Sequence, residues 1–459
     1  MSANAGSSLP TDPNAALPWY RGLTGYHWFV LLVCWLAWLF DTMDQQLFLL
    51  ARSPAMTDLL GEPSTPERIK LYASIATSIL MLGWATGGII FGILGDRLGR
   101  VKTLILAILA YSIFTGLSAL STTWVDFSIY RFLTGLGVGG TFGAAVSMVA
   151  EVIPARSRPF ALGFLQVLAA MGNMSAAALS LVVKPGALWW NVPGWRWLFV
   201  VGILPALLVL VIMRRVKEPE SWVKAKEAGD RSDAKEKGRQ MGSLRELFGH
   251  PRWRRNVIVG ILLGLAGIMG LWGIGFWLPE LVRDVVDKAD ADYYVSMAML
   301  LFNGTAAVGT YLFAWLMSRI GRRPAFAIIF VAALAAVFGV FGFMTSPSQI
   351  WWMAPLLGLG TLTVFGGYSI YFPELFPTRL RATGVGFCYN TARYLAALAP
   401  LTLGALTTLY KDSGFTLLSS LGSIDSPFRY AAFTVASVFA VGLVALLFAP
   451  EPKGQPLPE

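Results

Sequence analysis

Twelve separate runs of this chain are apolar over about 20 residues, and that single feature decides what it can fold into. Crossing about 30 Å of hydrocarbon takes roughly 20 apolar residues as an α-helix. In lipid, every backbone N–H and C=O must then be satisfied within the segment. Bounded by charges, Gly or Pro, the runs fall near 28–50, 70–95, 103–122, 127–150, 160–183 and 197–215, then near 256–279, 292–318, 325–345, 350–372, 383–409 and 428–449. The expected fold is therefore an all-α polytopic membrane protein with twelve transmembrane helices in two six-helix bundles. Composition agrees, since only 14% of the 459 residues are charged, against about 25% in a soluble domain.

The division that follows is a polar N-terminal tail over 1–25, a six-helix bundle over 26–216, a linker over 217–254, a second bundle over 255–449 and a tail over 450–459. The linker is the one long polar stretch, dense in Lys, Arg, Glu and Asp. Arg97, Arg100 and Lys102 lie between spans 2 and 3, Arg156 and Arg158 between 4 and 5, Arg319, Arg322 and Arg323 between 8 and 9, and Arg379 and Arg381 between 10 and 11. All fall on the linker's side, which the positive-inside rule makes cytoplasmic. The expectation is a multi-pass protein of the cell's inner membrane with both termini in the cytoplasm.

Several function classes drop out. The net charge of +10 is spread over membrane loops and is not gathered on a soluble surface that could take nucleic acid. Cys34 and Cys388 lie inside apolar runs, and with only His27 and His250 besides, neither a zinc site nor a disulfide framework is available. No His, Cys or paired-carboxylate constellation marks an enzyme, and no phosphate-cradling Gly-rich Lys motif marks ATP as the power source. The longest polar segment is too short for a soluble effector domain. The expected partners are a small-molecule substrate and the lipid bilayer. No metal or cofactor is expected, the proton gradient serves as the energy source, and the chain is expected to be a monomer.

The two halves repeat one another. Gly92-Ile-Leu-Gly-Asp96-Arg97-Leu-Gly99-Arg100 after span 2 corresponds to Ala314-Trp-Leu-Met-Ser318-Arg319-Ile-Gly321-Arg322 after span 8. Glu151-Val-Ile-Pro154-Ala-Arg156-Ser-Arg158 after span 4 corresponds to Glu374-Leu-Phe-Pro377-Thr378-Arg379-Leu-Arg381 after span 10. Such a repeat marks a transporter whose substrate sits at midplane between two bundles. From span 1 to span 12 these residues resemble the major facilitator superfamily. Gly92 to Lys102 looks like its loop 2-3 signature, and Arg131-Phe-Leu-Thr-Gly135-Leu-Gly137-Val-Gly139 looks like its helix 4 pattern. Phe40-Asp41-Thr-Met-Asp44 and Pro373 to Gly384 are similar to the metabolite:proton symporter branch, which takes aromatic acids, niacin and sialate and is itself similar to the organic ion transporters. Ser318 stands where that signature has an acidic residue.

A charge inside a span costs at least about 2.5–3.5 kcal/mol at the helix centre, so each one needs a reason. At 1.5 Å per residue, Asp41 lies roughly 20 Å and Asp44 roughly 24 Å along span 1, and Arg131 on span 4 is close to the depth of Asp44. Either carboxylate could pair with Arg131 and release it on protonation, which would couple transport to protons. The plainer reading is a static salt bridge between helices. Arg393 lies roughly 16 Å along span 11 with no acidic residue of spans 7–12 at its depth. It therefore asks for an anion, unless Asp41 of the other half serves as its partner. In the organic ion transporters that the chain resembles, an arginine at this point accompanies anion substrates.

Gln166, Asn303 and Asn390 are further candidates for bonding substrate, and Tyr389, Trp272 and Tyr368 for stacking on it, each with helix packing as its alternative. Asp96, Arg100, Glu151, Arg156, Arg158, Glu374, Arg379 and Arg381 look like the charge networks that latch the inner gate in this superfamily. Together these features predict proton-coupled symport of a small organic anion, an aromatic or sugar-type carboxylate, by alternating access. The alternative is a proton-linked uniporter or exporter of neutral or cationic compounds such as a sugar or drug, which Asp41 and Asp44 leave open.

Overall fold

The computed structural model describes residues 18–61, 65–230, 240–287, 290–397, 399–421 and 423–458. Span 1 is Gly25–Leu60, span 2 Pro66–Arg97, span 3 Arg100–Ser118, span 4 Trp124–Val152 and span 5 Arg158–Val182. Span 6 is Gly194–Val201 followed by Ala206–Arg215, span 7 is Pro251–Gly273, span 8 Ala291–Ile320 and span 9 Arg322–Phe343. Spans 10, 11 and 12 are each two successive helices: Ile350–Thr361 with Val364–Glu374, Arg381–Ala396 with Ala399–Ser413, and Pro427–Ala436 with Val438–Leu447. Among the described residues, eleven segments meet the length and hydropathy needed to cross a membrane, and the two helices of span 11 complete the set of twelve.

Span 1 runs ten residues past the end that its apolar run predicts. The run stops at the charge of Arg52, but the helix continues because Ala51, Ala55 and Met56 are buried in the core beyond it. Span 6 is interrupted just before Pro205, which brings no N–H to the ladder. Threonine side chains cap the starts of spans 1, 2 and 4. Thr24 and Thr123 each close a capping box, and Thr65 precedes Pro66 at the first helical position.

Spans 2 and 3 join through Leu98 and Gly99, and spans 8 and 9 through Gly321. Gly99 has φ +115° and Gly321 φ +98°, values that L side chains rarely adopt. Both glycines also admit a carboxylate. A Cβ on Gly99 would fall 2.2 Å from Glu218 Oε1, and one on Gly321 2.9 Å from Glu451 Oε2.

The halves meet along two seams, span 2 against span 11 and span 5 against span 8. The first helix of span 11 packs along span 2, whereas its second helix packs against spans 12 and 7. The seam between spans 2 and 11 is thus shut on the side of the linker and parted on the far side. Among the described residues, the linker contributes the short helices Glu220–Gly229 and Leu244–Gly249 to the shut side.

Candidate functional site

Span 1 carries Asp41 and Asp44 three residues apart, so they point to neighbouring faces of one helix. Both are buried. Asp41 Oδ2 accepts from Gln45 Nε2 at 3.0 Å, and its Oδ1 has no partner. Asp44 turns into the first bundle, where Thr115 Oγ1 donates to Oδ1 at 2.6 Å and Oδ2 is left open.

The ion pair expected between Arg131 and these carboxylates is not formed. The Arg131 guanidinium donates through Nε and Nη2 to Ser118 Oγ at 3.0 and 2.6 Å and through Nη2 to the Phe114 carbonyl at 3.3 Å. It also lies 4.6 Å from the centre of the Phe199 ring, with Phe48 and Phe127 at 5.8 Å. This cradle holds the cation away from Asp44, which acts on it only through space. Matched depth alone could not show the intervening hydroxyl.

Arg393 is buried at the seam between the halves. Its Nη1 donates to the Tyr389 carbonyl at 2.7 Å and to Asn390 Oδ1 at 2.9 Å. The guanidinium carbon lies 4.1 Å from the Trp84 ring centre of the opposite half and 4.3 Å from the Tyr389 ring, which is cation–π geometry. Nε has no partner, and no carboxylate closes an ion pair with Arg393 among the described residues. Asp41 is the acidic charge that acts on it.

Aromatic faces continue the site. Tyr389 stacks on Phe142 of span 4 at 3.8 Å and 18°, and Phe142 lies 5.0 Å from Trp38. Trp38 Nε1 donates to Gln166 Oε1 at 3.3 Å, and Gln166 Nε2 has no partner. Asp41, Gln166, Tyr389, Asn390 and Arg393 therefore belong to one neighbourhood at mid-depth. Three of its polar atoms, Asp41 Oδ1, Gln166 Nε2 and Arg393 Nε, are buried and unpartnered. An unsatisfied buried polar atom costs about 1–3 kcal/mol, and these three together present one acceptor and two donors at one place.

Two expected contacts fall elsewhere. Tyr368 is buried in the second bundle, its hydroxyl donating to the Leu263 carbonyl and its ring stacked 4.9 Å from Phe372, so it serves packing. Asn303 spends its amide on the Met299 carbonyl one turn back in span 8, at 2.8 Å. The Trp272 side chain lies outside the described residues. Reading the sequence missed Gln45, Trp38, Phe142 and Trp84. Trp84 was legible, because it stands mid-span, away from the interfacial belts where tryptophan otherwise collects.

On the linker side the charged motifs form a latch. Asp96 reaches into the opposite half and caps the start of span 11, accepting from Ala382 N at 3.1 Å, Thr383 N at 2.8 Å and Thr383 Oγ1 at 2.6 Å. Arg100 pairs with Asp96 at 3.1 Å and with Glu151 at 2.7 Å, and it donates to the Thr378 carbonyl at 2.6 Å. Arg381 shares the same Glu151 oxygen at 2.8 Å. The remaining expected latch residues stand apart from this network. Arg379 pairs with Glu246 of the linker at 2.8 Å, and Glu374 with Arg322 of its own half at 2.7 Å. Arg158 donates to the Ile153 carbonyl at 3.3 Å with Nε open, and neither it nor Arg156 joins an ion pair among the described residues. Glu218 and Glu451, which cap spans 3 and 9, were also missed. Their signal is a second repeat, Glu218-Pro219 and Glu451-Pro452, each just after the last span of its half.

The profile of the Major Facilitator Superfamily matches residues 34–400. The chain is 29% identical over 388 residues to the cis,cis-muconate transport protein of Acinetobacter baylyi, covering 84% of this chain and 86% of that one. It is 28% identical over 400 residues to the niacin transporter of the same organism, covering 82% and 87%. Its fold is similar to that of a proton:xylose symporter bound to 6-bromo-6-deoxy-D-glucose, with a TM-score of 0.72 at 20% identity over 94% of this chain and 98% of that one.

Proposed function

The chain belongs to the Major Facilitator Superfamily, and from that premise we propose that it is a proton-coupled symporter of a small organic carboxylate. The observation that carries this reading is Arg393, a buried guanidinium at the seam with an open Nε, two aromatic rings against it and no carboxylate partner among the described residues. A planar fork of this kind suits a substrate carboxylate, and stacked rings suit an unsaturated or aromatic body. Muconate and niacin, named for the two relatives, are both carboxylic acids, which supports the same class.

Proton coupling follows from competition. Asp41 is the acidic charge that acts on Arg393. While ionised, it attracts the same guanidinium that the substrate anion needs. Protonation from the outer side removes that competitor and leaves Arg393 to the substrate. Once the halves rock and the inner side opens, loss of the proton restores the attraction and favours release. Asp44 and Arg131 form a second polar centre behind the first, inside the N-terminal bundle. By the positive-inside rule the latched side is cytoplasmic, the parted side is outer, and both termini lie in the cytoplasm of an inner-membrane protein. The chain works as a monomer on this reading.

Uptake into proteoliposomes under an inward proton gradient tests it, with labelled carboxylates, sugars and organic cations as the panel. A carboxylate should accumulate and a protonophore should abolish the accumulation. Losing a charge-assisted contact of about 1.5–3 kcal/mol, Arg393→Ala should bind at least about tenfold more weakly. Asp41→Asn should keep exchange and lose accumulation. Movement of cations or neutral sugars instead, or carboxylate transport that survives Arg393→Ala, overturns the proposal.

A further inference from the structure

Arg52 is a second in-span guanidinium that the mechanism above does not use. It lies eleven residues beyond Asp41 on span 1, which returns it to the same helix face within about 20° and carries it roughly 16 Å toward the outer side. Its Nη1 donates to Thr77 Oγ1 of span 2 at 2.9 Å. Thr77 is seven residues before Trp84 and eleven before Gly88, so it continues the stripe of span 2 that faces span 11, roughly 10 Å outward of the Trp84–Arg393 stack. Two helix faces thus place Arg52 on the outer side of the Arg393 site, about 10–16 Å from it along spans 1 and 2.

The charge there is half-buried and meets no carboxylate among the described residues. Asp58, the acid further along the same helix, is taken by Arg196 at 3.1 Å. A cation that only tied span 1 to span 2 would need no formal charge to meet a threonine hydroxyl, because a glutamine amide could donate the same bond. The charge itself calls for an anion that comes and goes.

We infer that Arg52 is the first anion contact on the outer approach, where a substrate carboxylate docks before it passes inward to Arg393. The inference rests on the anion-symport reading. It makes entry electrostatically guided from the outside only, since Arg52 lies on the parted side of the site.

The test measures initial rates with labelled cis,cis-muconate and nicotinate in right-side-out and everted membrane vesicles containing the full chain. Arg52→Gln should raise the outer-side KM about fivefold to tenfold and flatten its dependence on salt, as expected when a focusing charge is removed. The maximal rate and the inner-side KM should stay unchanged. Arg52→Lys should retain both the outer KM and its salt dependence, and Thr77→Val, which keeps the charge, should shift the outer KM by less than about twofold. An unchanged outer KM in Arg52→Gln, an equal rise on both sides, or a Thr77→Val effect as large as that of Arg52→Gln makes Arg52 a structural tether and overturns the inference while the symport reading stands. If neither probe moves, the carboxylate of the panel that does accumulate replaces them, and transport of no carboxylate of that panel by the wild-type protein overturns both.

Discussion

At the end of span 2, Asp96 crosses into the other half and caps span 11, while at the matching end of span 8 the Ser318 hydroxyl turns back to the Trp315 carbonyl of its own helix. The surrounding parts are repeated faithfully. Arg100 donates to the Gly95 carbonyl as Arg322 does to Met317, Glu218 caps span 3 as Glu451 caps span 9, and Glu151 meets Arg100 as Glu374 meets Arg322. Yet Glu151 also takes Arg381 from across the seam, whereas Glu374 and Arg158 close no such pair. Seam packing differs in the same sense. Along spans 2 and 11, a Cβ on Gly386 would lie 2.4 Å from the Gly88 carbonyl oxygen, so the helices touch backbone to backbone. Along spans 8 and 5, the matching Gly163 faces the side chain of Ala314, 2.8 Å from a built Cβ. One repeated pattern has therefore produced a polar, ion-paired contact on one seam and an apolar one on the other, and on the proposed alternating-access reading the first carries most of the bias toward the inner-closed state.

The largest effect is expected from Asp96→Ala, which leaves Arg100 one partner short and the Ala382 and Thr383 N–H groups uncapped. Breaking a buried charge pair costs about 3–5 kcal/mol, with the lower end expected here because Arg100 keeps Glu151. The equilibrium should shift toward the inner-open state by a factor well above ten. Spin labels at the exposed positions 102 and 254 read this as a longer distance between the halves, and an unchanged distance would remove Asp96 from the lock. The equivalent Ser318→Ala should change nothing measurable.

Next in size is the packing contrast. Gly386→Ala meets a backbone oxygen that cannot retreat, so it should cost about 1–3 kcal/mol in thermal stability or in the closed-state population. No side-chain change on span 2 should restore it. Gly163→Ala should be milder, and Ala314→Gly should rescue it because the obstacle is a methyl group. Equal, unrescuable losses at both seams would erase the comparison.

How far the sequence foretold this depends on the distance over which each signal acts. Spans were legible because apolar length is a local property, and the loops after spans 2, 4, 8 and 10 were legible because they repeat. What failed were inferences across space. Depth matched Arg131 to Asp44, but depth holds no azimuth, and Ser118 with the Phe199 ring occupies the angle between them. Arg379 looks from the sequence like part of the gate's charge network, while its partner Glu246 sits in the linker, where helix position could not be inferred from hydropathy. Arg393, by contrast, was legible as a cation without an acid in its own half, and the structure adds what no run of residues could, the Trp84 face supplied by the opposite half.

The smallest effect should come from restoring the missing acid with Ser318→Asp. In span 11 the donors to Asp96 are the second and third helical residues, Ala382 and Thr383. In span 5 the second helical residue is Pro159, which has no N–H, so only Phe160 could donate to an acid at position 318. Ser318 is also not fully buried, and an exposed ion pair with Arg158 would contribute at most about 1 kcal/mol. Ser318→Asp alone should therefore barely change the distance between labels at positions 155 and 319. Combined with Pro159→Ala, which returns the second N–H, it should shorten that distance and favour the inner-closed state. If the single substitution locks the seam as firmly as the double, then Arg158, and not the capped helix, is what the acid at this position recognises, and Asp96 should be reinterpreted through Arg100 in the same way.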